Sequence, residues 1–391
     1  MISVSKAKEE IAKYSVRGNE VVLPLEEALG YTLSEAVVSP INMPPFRQSA
    51  MDGYALHLTD DLHYKLIGEV QAGDGHNPVL KPGEAIRIFT GAAVPDTANA
   101  VVMQEKVVVN AQSIIIEDGV SLEINIRKKG GQVQKGDIAL ENGTTLNPAG
   151  IGYLASLGIT EVTVYEKPSI AIVTTGNELC KPGESLTYGK IYESNSAMLA
   201  TALCSLHIKD YTVNTVKDNY KATLQLLQEV ISTNDIVIIT GGISVGDYDF
   251  VGKALKELKV EQLFYKVKQK PGKPLFYGKQ ENTRIFALPG NPAAALSCFY
   301  MYVYPALQKF IGATATDLPQ IKANSLSAYS RKGDRAHFLK AIYKDASVEI
   351  LDGQSSAMLQ TFALANALVY VPETKDNITQ GEEIDVICLP V

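Results

Sequence analysis

The sequence lacks the features by which membrane proteins, secreted proteins and nucleic-acid binders are usually recognised. No apolar run approaches the roughly 20 residues that a helix needs to cross a bilayer, and the first residues show no apolar core of a signal peptide. An excess of basic residues is also missing, since the formal net charge is −7. General binders of nucleic acid or of membrane surfaces are usually basic. We therefore expect neither a nucleic-acid nor a membrane partner.

Cysteine and histidine are scarce as well. The four cysteines are scattered without a CxxC pair, and the five histidines are dispersed. This distribution disfavours a disulfide framework, a zinc site and a histidine-based metal site, and it favours a reducing cytoplasm. The GxGxxG and GxxxxGK(S/T) fingerprints are missing too, so neither a Rossmann nor a P-loop assignment is supported.

The chain of 391 residues, 46% of them apolar, is long enough for several domains. Its pattern predicts an N-terminal region that combines a helical linker with an inserted small β module. A central region alternates strands and helices, which predicts a three-layer α/β/α domain with a mostly parallel sheet, and a C-terminal region predicts a β-barrel-like domain. The predicted bounds are 1–166 for the N-terminal region (linker 1–45 and 141–166, β module about 46–140), 167–316 for the α/β domain and 317–391 for the C-terminal domain.

Helices are predicted from apolar spacing and from their end residues. The helices of the linker and the first helix of the central domain are predicted at 3–15, Leu23–Leu33, 148–160 and 194–207. Pro24 suits the first turn of the second of these and Gly30 its end. Ser194 or Asn195 suits the cap of the last.

The Pro-rich segment Ser39–Leu56 differs from its surroundings. It offers a cation, a hydroxyl and a carboxylate within six residues, namely Arg47, Ser49 and Asp52. Phe46, Met51 and Tyr54 would be unusually exposed if this were a surface loop. We expect the segment to pack against another domain or another subunit.

One stretch of the central domain combines a strand, a Gly-rich turn and carboxylates. The apolar, β-branched run Asp235–Ile239 predicts a buried strand. It is followed by small residues and then by two acids and a helix start (Thr240, Gly241, Gly242, Ser244, Gly246, Asp247, Asp249). Such a turn is either an ordinary tight turn or a phosphate cradle. Carboxylates beside a phosphate need a cation between them, for which Mg²⁺ is the natural candidate.

Three further loops are expected at the same edge of the sheet, because parallel strands present their loops together. The first strand delivers TTGNEL with Glu178, the second delivers Lys217 and Asp218, and the last delivers LPGNPAAA. Ordinary turns between strands and helices are the alternative. Four such loops in one domain favour a polyanion site with a divalent cation.

Lysines are concentrated in the segment FYKVKQKPGKP. The alternation of Lys266, Lys268 and Lys270 predicts that they share one face of a strand, and Lys273 follows in a turn. A solvated strand face would explain the pattern. In an acidic protein, however, a dense basic cluster favours capture of an anion.

Taken together, these motifs resemble one family, the molybdopterin molybdenumtransferases (MoeA-type, gephyrin E-domain-like). The resemblance covers essentially the whole chain, because the family's motifs occur in order. They are PPFRQSAMDGYA, RIFTGAAVPDTANAVVMQE, TTGNEL, GGISVGDYDF, KPGKP and LPGNPAAA. The α/β domain alone would also resemble molybdopterin adenylyltransferases and CinA-type proteins, but the preceding segments would not.

The resemblance implies the last step of molybdenum cofactor synthesis. Adenylylated molybdopterin is expected in the α/β domain with molybdate nearby, Mg²⁺-dependent cleavage of the anhydride releases AMP, and molybdenum enters the dithiolene. It also implies a homodimer whose site lies between the α/β domain of one subunit and the N-terminal β module of the other. The molybdopterin adenylyltransferase is a candidate partner.

Roles for individual residues follow from the same resemblance. Asp52, Glu178, Asp218, Asp249, Lys266 and Lys270 form the implied catalytic set, in which Glu178, Asp218 and Asp249 hold Mg²⁺. Asp52 and Thr90 are expected to act across the subunit boundary, and the lysines are expected to hold phosphate or molybdate. The remaining implied binding residues are Thr175, Gly241, Gly242, Ser244, Gly246, Lys273, Pro289, Pro292, Arg335 and Ser356.

The sequence departs from the family pattern at one position. Gln132 lies in RKKGGQV, where family members commonly carry an acid, and a carboxamide binds Mg²⁺ less well. Two other functions compete with the transferase, namely a CinA-like nucleotide pyrophosphatase and a non-catalytic scaffold. Residues 1–165 disfavour the first, and the lack of a fused adenylyltransferase domain disfavours the second.

Overall fold

The fold was analysed in a computed structural model that describes residues 1–117, 119–243 and 250–390. The chain begins with α1 (Val4–Tyr14), whose first turn is capped by the Ser3 hydroxyl. Val4, Ala7 and Ile11 share one face and pack into the core of the central α/β domain. The predicted helix at 3–15 is therefore confirmed, and it belongs by packing to the central domain.

The linker is built from short paired strands as well as one helix. Its elements are β1 (Glu20–Pro24), β2 (Val37–Val38), β11 (Ile138–Leu140), α2 (Pro148–Ser156) and β12 (Glu161–Tyr165), numbered in chain order. Strand β1 pairs antiparallel with β12, and β2 with β11. Leu33, Leu146 and Leu154 lie at the centre of its small core.

The helix predicted at Leu23–Leu33 is wrong. The structure has β1 up to Pro24 and then one turn of 3-10 helix at Leu25–Glu27. The β-branched pair before Leu23 finds a partner strand in β12, which is more than 130 residues distant along the chain and about which local spacing carries no information.

The inserted module is a β sheet between the two halves of the linker. Its strands are β3 (Gln48–Ser49), β4 (Gly53–Leu56), β5 (His63–Val70), β6 (Glu84–Ile88), β7 (Ala100–Met103), β8 (Val107–Asn110), β9 (Ser113–Ile116) and β10 (Ile126–Arg127). Six of them form one sheet in the order β7-β4-β6-β5-β9-β8. Alternate residues of β4 enter different cores, since Ala55 packs on one face and Tyr54 on the other.

The central domain has three layers. Its strands are β13 (Ile170–Thr175), β14 (Leu179–Cys180), β15 (Ile191–Tyr192), β16 (Tyr211–Val216), β17 (Ile236–Thr240), β18 (Glu261–Tyr265), β19 (Gln269–Lys270), β20 (Phe276–Gln280) and β21 (Thr283–Leu288). The main sheet has the order β16-β13-β17-β21-β20-β18. The first four strands are parallel, and only β20 runs in the opposite direction. The predicted α/β domain with a mostly parallel sheet is thus confirmed.

Helices cover both faces of this sheet. They are α3 (Asn195–Ser205), α4 (Tyr220–Thr233), α5 (Phe250–Glu257), α6 (Pro292–Cys298) and α7 (Tyr304–Phe310), and a π-helical segment, Phe299–Val303, joins the last two. Alternate residues of β13 pack on opposite helical layers: Ile172 contacts the layer of α3 and α6, and Val173 the layer of α4 and α5. Because both faces of β13 are buried, the strand is one continuous apolar run in the sequence.

The C-terminal domain is a closed five-stranded barrel. Its elements are β22 (Gln320–Ser325), β23 (Tyr329–Ser330), β24 (Ala336–Lys344), β25 (Ser347–Ile350), α8 (Leu359–Leu364), β26 (Ala367–Val371), β27 (Asn377–Ile378) and β28 (Glu383–Cys388). The ladder runs β24-β25-β22-β28-β26 and closes through the pairing of β26 with β24. The predicted barrel-like domain is confirmed. Strand β19 pairs with β24 from outside the ring and joins the lysine segment to the barrel.

The lysines of that segment do not share one strand face, so this prediction is wrong. Strand β18 ends at Tyr265, and Lys266 has a positive φ of 66°. The backbone of Lys266 and Lys268 instead bonds to Ile2 near the N-terminus. Only Lys270 lies in a strand, the two-residue β19. The positive φ at Lys266 and the backbone bonds of this segment to Ile2, which the alternation of residue types does not reveal, break the register.

The structure exposes part of the Pro-rich segment. Phe46 and Met51 are each 42% exposed, whereas Tyr54 is buried and stacks under the Arg87 guanidinium. Among the described residues, no helix is long and apolar enough to cross a membrane.

Candidate functional site

A cleft of about 680 Å³ lies at the carboxyl edge of the parallel strands. The loops after β13, β16, β17 and β21 all contribute to it, as predicted from the strand order. Seven of the predicted site residues line the cleft: Thr175, Glu178, Asp218, Gly241, Gly242, Pro289 and Pro292. Strands β13, β17 and β21 are buried along their whole length, so the cleft has a rigid floor.

The loops after β13 and β16 are tied together by a reciprocal pair of hydrogen bonds. The backbone N–H of Asn177 donates to Asp218 Oδ2 at 3.1 Å, and the backbone N–H of Asp218 donates to Asn177 Oδ1 at 3.1 Å. These bonds fix the Asp218 carboxylate beside the turn that carries Glu178. Two acids on separate loops thereby face one cleft.

The Gly-rich turn after β17 needs its glycines. Gly241 and Gly242 have φ values of +89° and +61°, a region that other residues rarely adopt. A Cβ on Gly241 would lie 2.5 Å from the carbonyl oxygen of Thr175, and one on Gly242 would lie 2.6 Å from its hydroxyl oxygen. The turn is therefore pressed against the end of β13, with its backbone exposed to the cleft.

Asn195 is a cleft residue that sequence reasoning treated only as a helix cap. Its Nδ2 donates to Thr240 Oγ1 at 2.8 Å and to the Gly290 carbonyl oxygen at 2.8 Å. The Thr240 hydroxyl in turn donates to the Pro289 carbonyl oxygen at 3.2 Å. One amide therefore joins the starts of three loops. The only indication in the sequence was a polar residue at the beginning of a helix.

The barrel reaches the rim of the cleft through Ser356. Asn291, a lining residue, donates from Nδ2 to Ser356 Oγ at 2.9 Å, and the backbone N–H of Ala294 donates to the Ser356 carbonyl oxygen at 3.1 Å. The loop that carries Ser356 is organised by Lys340, which is 3% exposed. Its ammonium donates to the carbonyl oxygens of Gly353, Ser355 and Met358 at 2.8, 3.2 and 3.0 Å.

The predicted basic residues form a second group next to the cleft. Lys266, Lys270, Lys273 and Arg335 are not among the described residues that line the cleft, although Pro274 is. Arg335 Nη1 donates to the Gln269 carbonyl oxygen at 3.4 Å. The pairing of β19 with β24 sets Lys270 opposite His337. Burial, and to a smaller extent the charges of Lys270, Arg331 and Arg335, lower the pKa of His337 to about 4. These three cations make the corner electropositive.

Asp52 and Thr90 lie in the inserted β module, and within one chain they are not among the residues of the cleft. They contact each other: the backbone N–H and the hydroxyl of Thr90 both donate to Asp52 Oδ1 at 2.7 Å. These two bonds, with Arg87 nearby, lower the pKa of Asp52. Asp52 is therefore an exposed, fixed carboxylate.

The predicted metal ligands are only partly within the described structure. Glu178 and Asp218 line the cleft, whereas Asp249, Ser244 and Gly246 lie outside the described residues. Within 1–117, 119–243 and 250–390, no group of three His, Cys, Asp or Glu side chains could hold a metal ion. Mg²⁺ is usually held by one or two carboxylates together with substrate phosphates, so this pair suits it.

Comparisons with known proteins cover nearly the whole chain. Residues 2–158 match the MoeA N-terminal region (domain I and II), residues 171–309 match a probable molybdopterin binding domain, and residues 322–389 match the MoeA C-terminal region (domain IV). The three regions follow each other in the order of the folded units.

Individual relatives agree with these matches. A molybdopterin molybdenumtransferase of Haemophilus influenzae is 34% identical over 93% of this chain and 92% of its own length. One of Staphylococcus epidermidis is 31% identical over 99% of this chain and 95% of its own length. The crystal structure of the molybdopterin biosynthesis moeA protein from Pyrococcus horikoshii OT3 has a TM-score of 0.84 and 28% identity, covering 99% of this chain and 100% of that one. These relatives do not favour the pyrophosphatase or scaffold alternatives.

Proposed function

This chain belongs to the molybdopterin molybdenumtransferase family, and on that basis we propose that it transfers molybdenum from molybdate to adenylylated molybdopterin with release of AMP. The observation that carries this proposal is the cleft at the carboxyl edge of the sheet. It combines a Gly-rich turn with exposed backbone, two carboxylates on tied loops and an adjoining electropositive corner. Those are the parts needed to hold a phosphoric anhydride and an oxyanion side by side.

The cleft itself binds the pterin nucleotide in this proposal. The turn of Gly241 and Gly242 brings backbone close to the ligand without side-chain bulk, as phosphates require. Pro289 and Pro292 stiffen the neighbouring loop after β21, and Asn195 ties that loop to the end of β17. The shape of the cleft on this side is therefore fixed before a ligand binds.

The electropositive corner binds the oxyanion, molybdate, in this proposal. Lys270 and Lys273 flank the turn at Pro271, Lys266 lies upstream, and Arg335 approaches from the barrel through its bond to the Gln269 carbonyl oxygen. Ser356 adds a hydroxyl at the cleft rim. Lysine and arginine charges attract a divalent oxyanion, and the hydroxyl orients it.

Mg²⁺ would be held by Glu178 and Asp218, with Asp249 as a further predicted ligand. Bound there, the ion would neutralise negative charge on the anhydride. The protein's own contribution is to aim both carboxylates at one place. The bonds between Asn177 and Asp218 achieve this for Asp218.

A homodimer would complete the site. Asp52 and Thr90 form a fixed, exposed pair that does not line the cleft of its own chain. Phe46 and Met51, in the same segment as Asp52, are exposed apolar side chains. We expect this face of the β module to cover the cleft of a second subunit. A cytoplasmic location is supported by four free thiols, and the molybdopterin adenylyltransferase is the expected source of substrate.

Incubation of the purified protein with adenylylated molybdopterin, Mg²⁺ and molybdate tests the proposal, with AMP release as the readout. Asp218→Asn should lower turnover by about 100-fold, the usual scale for loss of one electrostatic contact at a reacting centre. Glu229→Gln, an exposed change on α4, is the matched control and should leave turnover intact. Chelation of Mg²⁺ should stop AMP release reversibly.

Three results would contradict the proposal. The transferase assignment fails if the wild-type protein releases no AMP under these conditions. The shared site fails if sedimentation at micromolar concentration gives the mass of a single chain, or if Asp52→Asn leaves turnover unchanged.

A further inference from the structure

A group of fully buried polar side chains lies beneath the turn that carries Lys270 and Lys273. Gln269, Tyr302 and Cys298 are each 0% exposed. The Tyr302 hydroxyl donates to Gln269 Oε1. Gln269 Nε2 donates to the Gly272 carbonyl oxygen at 3.2 Å and to Cys298 Sγ at 3.5 Å. Both ends of the buried amide therefore have partners, one in the turn and the others in the long helix.

The network is neutral and its hydrogen bonds have a defined direction. Burial raises the pKa of Tyr302 well above its ordinary value and that of Cys298 to about 12. Tyr302 therefore keeps its proton and is the donor to Gln269 Oε1, which leaves Nε2 to face Gly272. The network therefore adds no negative charge near the two lysines, which would weaken their attraction for an anion.

The π-helical segment at Phe299–Val303 carries Tyr302 toward the turn. A π turn changes the direction in which successive side chains leave a helix, and such turns are frequent at functional sites. Tyr300, two residues earlier, stacks instead on Phe362 of α8 at 6.3 Å between ring centroids. One short segment thus directs one tyrosine to the lysine turn and another to the barrel side.

The turn rests directly on this helix. Gly272 has φ +87°, and a Cβ at that position would collide with Cys298 Sγ. At its other end the turn is anchored to the barrel, because the Ala336 N–H donates to the Lys268 carbonyl oxygen and Lys270 pairs with His337. Tyr302 and Gln269 supply the anchor on the helix side. The side chains of Lys270 and Lys273 are themselves exposed.

We infer that Gln269 and Tyr302 are positioning residues, which hold the turn of Lys270 and Lys273 in the geometry that captures molybdate. The inference rests on the proposed function. It states that the buried hydrogen bond between the Gln269 amide and the Tyr302 hydroxyl sets the distance between the two lysines. A lysine charge can move on its flexible stem, so the backbone of the turn decides where the pair of charges is centred.

Replacement of Tyr302 by Phe removes one hydroxyl and little volume. We expect the KM for molybdate to rise by about 10- to 100-fold, the scale for a small misplacement of a binding group, while kcat at saturating molybdate changes by less than about twofold. Gln269→Met should do the same. Tyr300→Phe, in the same π-helical segment and also buried, is the matched control and should keep the wild-type KM.

A second measurement does not depend on turnover. An amine-acylating reagent, followed by mass spectrometry, reports how fast Lys270 and Lys273 react with and without molybdate. In Tyr302→Phe we expect altered labelling rates at both lysines and protection only at higher molybdate concentration, with neither change in Tyr300→Phe. Wild-type KM and wild-type labelling in Tyr302→Phe would overturn the inference.

The same two readouts separate this inference from the proposed function. If the wild-type protein shows no molybdate-dependent AMP release, the transferase proposal fails. The labelling rates of Lys270 and Lys273 without molybdate then still decide whether Tyr302 positions them. Equal rates in wild type and Tyr302→Phe reject the positioning role under either outcome.

Discussion

Replacement of Gly241 by Ala is the sharpest test of how the floor of the cleft is built. Gly241 has φ +89°, which costs a residue with a Cβ about 1–2 kcal/mol. The added Cβ would also lie 2.5 Å from the Thr175 carbonyl oxygen and 3.0 Å from its hydroxyl oxygen, well inside contact distance. Since both groups belong to the buried last residue of β13, the backbone must shift, which costs about 1–3 kcal/mol more. We expect the free energy of unfolding to fall by about 2–5 kcal/mol.

Gly158→Ala separates the two contributions. Gly158 has a similar φ of +80°, but a Cβ there would meet nothing within 4 Å. We expect Gly158→Ala to lower the free energy of unfolding only by the cost of the positive φ, about 1–2 kcal/mol. Calorimetry should show a fall in Tm of about 4–20 °C for Gly241→Ala and about 2–8 °C for Gly158→Ala, on the usual scale for domains of this size.

Activity gives an independent reading of the same change. Gly241→Ala should lower AMP release at 25 °C, below its unfolding temperature, because the turn and the end of β13 both line the cleft. Gly158→Ala should keep wild-type activity. The reasoning is refuted if Gly241→Ala is no less stable than Gly158→Ala and turns over normally, since the contact with Thr175 would then be of no consequence.

Two further predictions concern Asp52 and Lys340, which lie outside the cleft. Thr90→Val removes one of the two hydrogen bonds that lower the pKa of Asp52, so that pKa should rise toward 3.8 in an NMR titration, and an unchanged value would contradict the assignment. Lys340→Met leaves three carbonyl oxygens without their donor and should cost about 3 kcal/mol in urea unfolding, whereas Lys344→Met, exposed on the same strand, should cost almost nothing. Burial lowers the pKa of Lys340 below 10.5, so the unfolded chain binds more protons in the window just below that pH. Stability should therefore rise with pH there in the wild type, and Lys340→Met should lose that rise.

The predicted convergence of loops succeeded for a simple reason. Strands β13, β17 and β21 are continuous apolar runs, and parallel strands that alternate with helices must present their loops at one edge. Glu178, Asp218 and Gly241 could therefore be assigned to one cleft without any knowledge of their distances. Motif order alone also identified the family, which the comparisons with relatives confirm.

Predictions that needed distant contacts failed or were never made. The helix at Leu23–Leu33 is wrong because β1 is stabilised by β12, which comes near it only in the folded chain. The lysines do not alternate on one face because β18 ends before Lys266, which has a positive φ, and the segment after it bonds to Ile2. Local spacing reports the preference of a segment, and tertiary partners override it.

By itself the sequence determined the parallel strands of the central sheet, the Gly-rich turn and the residue types gathered at one edge, because burial on both faces and small residues in tight turns leave a local pattern. Only the tertiary structure decided which polar groups form hydrogen bonds with each other. Asn195 with Gly290, Asn291 with Ser356 and Gln269 with Tyr302 are 95, 65 and 33 residues apart. Nothing in the local sequence around each of these residues indicates its partner. A hydrogen bond depends on a separation of about 3 Å between atoms, and only the packed domains set that separation.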